Sequence, residues 1–389
     1  MTLKITSVAG IYVHIPYCKQ ACDYCNFHFS TTLHRIDSMY DAILTEIELQ
    51  KSFLGGESIE TIYFGGGTPS ILPDSQVAGI LEQIHKYHDV QADAEITLEG
   101  NPDDLTISKL KALRDIGINR LSIGIQSFHN KDLQWMNRCH NATEARECIT
   151  NAQDCGITDL SADFIFGSNT TTTQMWEQNL TTAAKLDIPH LSCYSLTVES
   201  GTALQHRITK GITSRLSESL QAEQFLMTMA FLESQGYEHY EISNYAKEKK
   251  YARHNTNYWK QKSYLGIGPA AHSYHGQSRY WNVSHNQKYI DAIGQENIPN
   301  DSESLSNLDA FNEQIMTGLR TMWGCDKNTL QTLMPDWESK LAAELSALSE
   351  NGSIIADEKS LRLSPQGKLV ADHVMSQLFL TNESTPEKE

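Results

Sequence analysis

The sequence predicts an α/β fold: a parallel sheet curled into a partial, TIM-like (β/α)6 barrel, followed by a small α+β winged-helix-like domain. Three observations predict it. Six short apolar runs rich in β-branched and aromatic residues alternate with six longer amphipathic segments, the pattern of strand–helix units that build a parallel sheet. Polar clusters stand directly after successive strands, as they do where all strand-to-helix loops open at one mouth. Beyond about residue 301 the alternation gives way to helices followed by two short apolar runs, the order of a winged-helix-like unit.

The strands are expected at 11–15, 61–64, 95–98, 120–124, 159–166 and 190–196. The helices are expected at 36–51, 75–87, 108–116, 143–155, 173–186 and 217–235, with Thr106 and Gly117 as caps of the third. After the strands come, in order, Cys18 with its neighbours, Gly65-Gly66-Gly67-Thr68, Glu99, Gln126, Asp163, and Tyr194-Ser195. The later unit reads as helices near 309–321, 326–333 and 337–350, short runs at 353–356 and 360–363, and a last helix from Pro365. We therefore divide the chain into a barrel (1–240), an extension (241–300), a C-terminal domain (301–380) and a disordered tail (381–389).

Composition narrows the function. Among 389 residues, 31 Lys and Arg stand against 48 Asp and Glu, a net charge of −17 that repels nucleic-acid phosphates and anionic membranes. The C-terminal domain, whose shape invites a DNA-binding reading, holds seven basic and 15 acidic residues over 301–389, so nucleic acid is not expected as a partner. No stretch approaches the ~20 apolar residues of a membrane span, and residues 1–10 lack the apolar core of a signal peptide. A cytoplasmic chain without an integral membrane segment is expected.

Eight cysteines are distributed unevenly. Cys18, Cys22 and Cys25 fall within HIPYCKQACDYCNFHF, whereas Cys139, Cys148, Cys155, Cys193 and Cys325 are scattered and read as small buried hydrophobes. Three close thiols suit either a closed zinc site completed by His14 or His28, or an iron–sulfur cluster with one iron left without a protein ligand. The glycine run in YFGGGTPS lets bare backbone approach a ligand, and Glu99, after the apolar run EITL, is an acid in need of a partner. In HNTNYW, His254 reads first as a structural histidine beside two core aromatics, although an imidazole can also ligate a heme iron, with Tyr258 and Trp259 to pack a flat macrocycle. His272 and His275 are secondary candidates.

C-x3-C-x2-C after the first strand, GGGTP after the second, and six βα units together resemble the radical S-adenosylmethionine superfamily over about residues 11–240. The resemblance implies a [4Fe-4S] cluster on Cys18, Cys22 and Cys25, with S-adenosylmethionine chelating the fourth iron. Within the superfamily YVHIPYC, IYFGGGTPS, RLSIGIQSF, YEISNYA and HNTNYW are similar to the coproporphyrinogen III dehydrogenase group. By that similarity, adenosylmethionine contacts fall on Tyr12, Gly66, Glu99 and Ser195, and a second set on Gly67, Thr68, Gln126, Arg138 and Asp163. The chain departs from the group after Phe166, where Gly167-Ser168-Asn169 replaces a Gly-Leu-Pro turn, and at Met136-Asn137, beside Arg138.

Two branches of the group differ locally. The dehydrogenases carry a further cysteine where this chain has Phe27, and a longer N-terminal arm; the heme chaperone branch carries H-N-x-x-Y-W, present here from His254 to Trp259. The resemblance thus implies heme as cargo, a heme-accepting protein as partner and a homodimer as assembly. The alternative it implies is the oxygen-independent decarboxylation of coproporphyrinogen III propionates.

Overall fold

The computed structural model describes residues 8–381, so the tail expected at 381–389 lies, apart from Thr381, outside the described residues. The barrel half runs β1 Val8–Ile15, α1 Ile36–Leu49, β2 Ser58–Gly66, α2 Asp74–Tyr87, β3 Val90–Gly100, α3 Ile107–Ile116, β4 Arg120–Gln126, α4 Asn130–Trp135, α5 Ala142–Asp154, β5 Asp159–Phe166, α6 Thr173–Lys185, β6 His190–Ser195, α7 Ala203–Thr209 and α8 Glu218–Ser234. All six expected strands and six expected helices are present. The short α4 and α7 are additional; six and seven residues long, they carry no apolar period that a sequence pattern could reveal. Thr106 accepts from the Lys109 amide at 3.3 Å, and Gly117 ends α3 at φ 110°, a left-handed conformation open to glycine at no steric cost.

Strands β1 to β6 are parallel neighbours in sequence order. The extension adds β7 Glu238–Glu241, β8 Asn244–Ala246, α9 Arg253–Trp259, β9 Tyr264–Ile267, β10 His272–His275, β11 Ser278–Asn282, α10 Asn286–Ile293 and β12 Asn300–Ser304. These strands continue both sides of the barrel into one twelve-stranded sheet, with β9 parallel to β1 and with β12 and β7 at its edges. All five residues of β12 are exposed. Because β12 pairs with β11, the large sheet runs past the boundary drawn at 301.

The two faces of the sheet differ in kind. Ile11, Val13, Ile62, Phe64, Leu98 and Leu121 are buried in the main core beneath the helices. Facing inward on alternate positions are Thr61, Glu95, Arg120, Ser122, Ser161 and His190, a polar lumen rather than a second oily layer. Buried polar groups need partners. Ser161 Oγ meets His190 Nδ1 at 2.7 Å, and His190 Nε2 meets the Tyr240 hydroxyl at 2.8 Å.

The C-terminal unit comprises α11 Asn307–Leu319, β13 Cys325–Asp326, α12 Lys327–Leu333, α13 Trp337–Lys340, α14 Ala342–Glu350, β14 Ile354–Ala356, β15 Ser360–Leu363 and α15 Ala371–Gln377. Its three-stranded sheet has the order β13-β15-β14, and its core, around Phe311, Trp337 and Leu361, is separate from that of the barrel. The strand at Cys325 is too short to be seen as a run in the sequence.

One buried acid joins the barrel to its extension. Glu46 on α1 is fully buried and accepts from the Gly268 amide (2.7 Å), Asn282 Nδ2 (2.7 Å), the Tyr289 hydroxyl (2.5 Å) and Gln50 Nε2 (3.2 Å). Burial raises its pKa, and these donors offset part of that rise. Glu46→Ala leaves the donors without their acceptor and should lower unfolding free energy by about 3 kcal/mol, read as a shifted urea midpoint.

Candidate functional site

The barrel mouth is organised by backbone before any side chain takes part. Beyond the ends of β1 and β2, the Gly67 amide donates to Ile15 O (2.9 Å) and the Thr68 amide to Tyr17 O (2.7 Å). The loop carrying the three cysteines is thus fastened to the GGGT turn. A Cβ at Gly67 would lie 2.5 Å from Tyr17 O, so the approach is possible only for glycine. Farther along, Cys18 N donates to Ser30 O at 3.0 Å and Cys25 N to Cys22 O at 3.2 Å.

The short helices absent from the sequence reading clamp this loop. Asp23 N donates to Met136 O (3.3 Å), Leu204 N donates to Asp23 O (2.7 Å), and Arg207 pairs with the Asp23 carboxylate. Gln20 Nε2 donates to Asn137 O at 2.8 Å, and Asn137 Nδ2 returns a bond to Ala21 O at 2.8 Å. The departure from the family pattern at Met136-Asn137 is therefore part of the clamp. The other departure is also satisfied, since the Gly167 amide donates to Gln224 Oε1 at 2.7 Å.

Within the mouth lies a cavity of about 480 Å³. Cys18, Cys22 and Cys25 line it together with Gly66, Gly67, Thr68, Glu99, Gln126, Arg138, Asp163 and Ser195. Tyr12 stands apart from these: its hydroxyl meets His14 Nδ1 at 3.1 Å, and its ring lies against Tyr63. Residues missed in the sequence include Asn101, Ser122 and Tyr63. Asn101 stands two positions after Glu99, so the rule that polar residues at strand ends face the mouth could have found it.

Each thiol has a distinct environment. Thr68 Oγ1 donates to Cys18 Sγ (3.4 Å), and Arg138 Nη1 donates to Cys22 Sγ (3.2 Å). The same guanidinium is aimed by Asn101 Oδ1 (2.6 Å) and Gly124 O (2.9 Å). Burial pushes the Cys18 thiol up to about 11 and also raises Cys25, with Thr68 and the Phe27 backbone respectively opposing.

The donor set tests which metal group fits. Among the described residues no three His, Cys, Asp or Glu side chains converge on a single-ion site. The imidazoles weighed for zinc are engaged elsewhere: His14 Nε2 with His28 O at 3.0 Å, and His28 Nε2 with Asn286 Oδ1 at 2.7 Å. Three soft sulfurs around a cavity, each for a different iron, fit a cluster instead. Among the described residues Gln126 Oε1 and Arg138 Nε are buried without a partner, and Gln126 holds a left-handed φ of 62° beside a register shift in β4, a strained backbone of the kind found at ligand sites.

Residues 12–183 match the radical SAM superfamily, and residues 305–370 match the HemN C-terminal domain. The chain is 32% identical to the heme chaperone HemW of Bacillus subtilis over 367 residues, covering 93% of this chain and 97% of that one. It belongs to the HemW/HemN-like family of radical SAM proteins. The mitochondrial radical S-adenosyl methionine domain-containing protein 1 of Bos taurus is 31% identical, over 95% of this chain and 87% of that protein. Among solved structures, the coproporphyrinogen III oxidase HemN of Escherichia coli shares the fold, with a TM-score of 0.84 at 22% identity, covering 96% and 90% of the two chains. Membership of this radical SAM family implies a [4Fe-4S] cluster and S-adenosylmethionine.

The candidate heme ligand His254 does not line this cavity. His254 is 1% exposed; Nδ1 meets Thr61 Oγ1 at 2.8 Å and Nε2 meets the Tyr258 hydroxyl at 2.6 Å. Both ring nitrogens thus have hydrogen-bond partners inside the barrel base. This arrangement is compatible with the structural reading of HNTNYW, with Thr61 and Tyr258 as the partners of the imidazole.

Glu99 is the acid of the cavity. Its Oε1 accepts from the Tyr63 hydroxyl (2.7 Å) and its Oε2 from the Gly66 amide (3.2 Å). Burial lifts its pKa from 4.5 to about 7, with Asp163 adding like-charge repulsion and the two hydrogen bonds opposing. The folded chain holds that proton more tightly than the unfolded chain, so this contribution to stability is complete below about pH 4.5 and is lost as pH rises through about 7. Apo-protein should lose at most about 1.4 kcal/mol per pH unit in that window, and Glu99→Gln should flatten the profile, as measured by urea unfolding at pH 5 to 8.

Proposed function

We propose that the chain is a cytoplasmic heme chaperone. In this reading Cys18, Cys22 and Cys25 each ligate one iron of a [4Fe-4S] cluster, adenosylmethionine occupies the adjoining cavity, and heme is carried as cargo to an acceptor protein. The observation that carries the choice of branch is Phe27. It stands at the lip of the cavity, 69% exposed, where the dehydrogenases that the sequence also resembles have a further cysteine. A thiol offers a ligand or a redox group there, and a phenyl ring offers only an apolar surface. The near full-length likeness to a heme chaperone of Bacillus subtilis supports the same choice.

The chain's own residues have separable tasks. Arg138 donates to Cys22 Sγ and places a positive charge beside the sulfurs. Gly66, Gly67 and Thr68 present backbone and a hydroxyl, while Gln126 and Arg138 offer their unpaired acceptor and donor to the amino-acid portion of adenosylmethionine. Glu99, Asp163 and Ser195 complete the polar wall. When bound, the cluster supplies an electron for adenosylmethionine cleavage or a redox centre for cargo handling.

For the heme iron we assign His272, a secondary candidate in the sequence. It pairs across the strands with Trp281 and, through the registers of β1, β9 and β10, shares the inward face of Tyr12. Among the described residues neither ring nitrogen has a hydrogen-bond partner, and burial together with the Arg279 charge lowers its pKa, which keeps a lone pair free. Its ring lies 6.4 Å from that of Trp281, which gives a macrocycle a flat neighbour.

Anaerobically reconstituted protein should bind heme with a Soret band and leave coproporphyrinogen III unchanged in the presence of a reductant. Cys22→Ala should abolish the brown cluster chromophore. His272→Ala should lose the Soret feature, and added imidazole should restore it, while His254→Ala should retain it. Turnover to protoporphyrinogen IX would instead favour the enzymatic alternative.

A further inference from the structure

The HNTNYW segment forms α9, and α9 closes the base of the barrel opposite the cysteines. Glu95 on β3 accepts from the Arg253 and His254 amides at 2.9 and 3.0 Å, which caps the free N–H groups of the first turn. The His254 ring then projects into the lumen, pinned by Thr61 on β2 and by Tyr258 one turn along its own helix. Gly10 leaves room for it, since a Cβ there would come within 3.2 Å of the imidazole.

Above the base, His254 is the lowest ring of a stack. Tyr63 lies over it with centroids 5.0 Å apart and planes 23° from parallel; Tyr12 flanks both at 6.1 and 6.4 Å. At the top of the stack, the Tyr63 hydroxyl donates to Glu99 Oε1 at 2.7 Å, and Glu99 lines the cavity. Two contacts therefore run from His254 on α9 through the Tyr63 ring to a carboxylate in the mouth. The path contains no flexible element, because the imidazole is held at both nitrogens and a tyrosine ring placed by stacking has one direction for its hydroxyl.

We propose that His254 is a positioning residue for the adenosylmethionine cavity: by fixing the Tyr63 ring it fixes the Glu99 carboxyl that faces the ligand. The proposal rests on the reading that this cavity takes adenosylmethionine. It gives His254 a task that requires burial and two hydrogen bonds. It also explains why the imidazole is aimed into the barrel and away from solvent. Loss of the ring would leave a void beneath Tyr63, and the tyrosine would settle into it and withdraw its hydroxyl from Glu99.

The test is calorimetric titration of reconstituted protein with S-adenosylmethionine, together with the EPR spectrum of the reduced cluster before and after addition. His254→Ala and Tyr63→Phe should each weaken binding about tenfold, or ~1.4 kcal/mol, and should each diminish the ligand-induced spectral change. The double variant should be no weaker than the single ones, since both cut one chain of contacts. His254→Phe, which keeps a ring beneath Tyr63, should recover most of the affinity. Tyr63→Phe removes one oxygen and keeps the packing, so it remains informative where His254→Ala fails to fold. Unchanged affinity in Tyr63→Phe and in folded His254→Ala, with wild type binding normally, would overturn the positioning role. No binding by wild type would overturn the reading of the cavity instead.

Discussion

The site depends on two main-chain hydrogen bonds made where two parallel strands end. Gly67 and Thr68 continue the pairing of β1 and β2 past the last rung of the ladder, donating to Ile15 and Tyr17 just before the first cysteine. A parallel ladder has a fixed register, and a fixed register places the cysteine loop at one height above the sheet. The carbonyls of Ile15 and Tyr17 are reached only because Gly67 has no side chain to hold them off. Arg138, Asn101 and the short helices then act on a loop whose starting point is already set.

A second constraint follows from the inner face of the sheet. Placing Arg120 and Glu95 wholly, and Asp163 and Glu99 partly, inside a barrel withdraws them from water, a cost that hydrogen bonds and opposite charges offset. The lumen is therefore read as two layers. The lower one, around Arg120 and Glu95, is closed by α9 and serves structure; the upper one, around Glu99 and Asp163, stays open to the cavity. Tyr63 and His254 form the partition between them.

Much of this was legible in the sequence, for physical reasons. Strands buried in a parallel sheet must be apolar on the helix side, so IYV, TIYF and the later runs stood out, and barrel geometry placed their C-terminal neighbours around one mouth. The three cysteines, the glycine run, Glu99, Gln126, Arg138, Asp163 and Ser195 do line one cavity. Two kinds of feature were hidden. The helices α4 and α7 are too short to show a period, although their contacts hold the cysteine loop. The orientation of His254 was hidden because a histidine beside two aromatics reads alike whether its nitrogens face a metal or a threonine and a tyrosine.

The open sheet ends in β12, five residues that lie wholly in solvent and read NDSES. An edge strand offers, on its outer side, a row of free amides and carbonyls to any passing chain. Here Asp301 and Glu303 accompany that row, and another strand could add to it only by stripping water from both carboxylates. The edge is thereby disfavoured for backbone-mediated association. At this edge a lasting encounter with another chain must be written in side chains, where a partner can be told from a stranger.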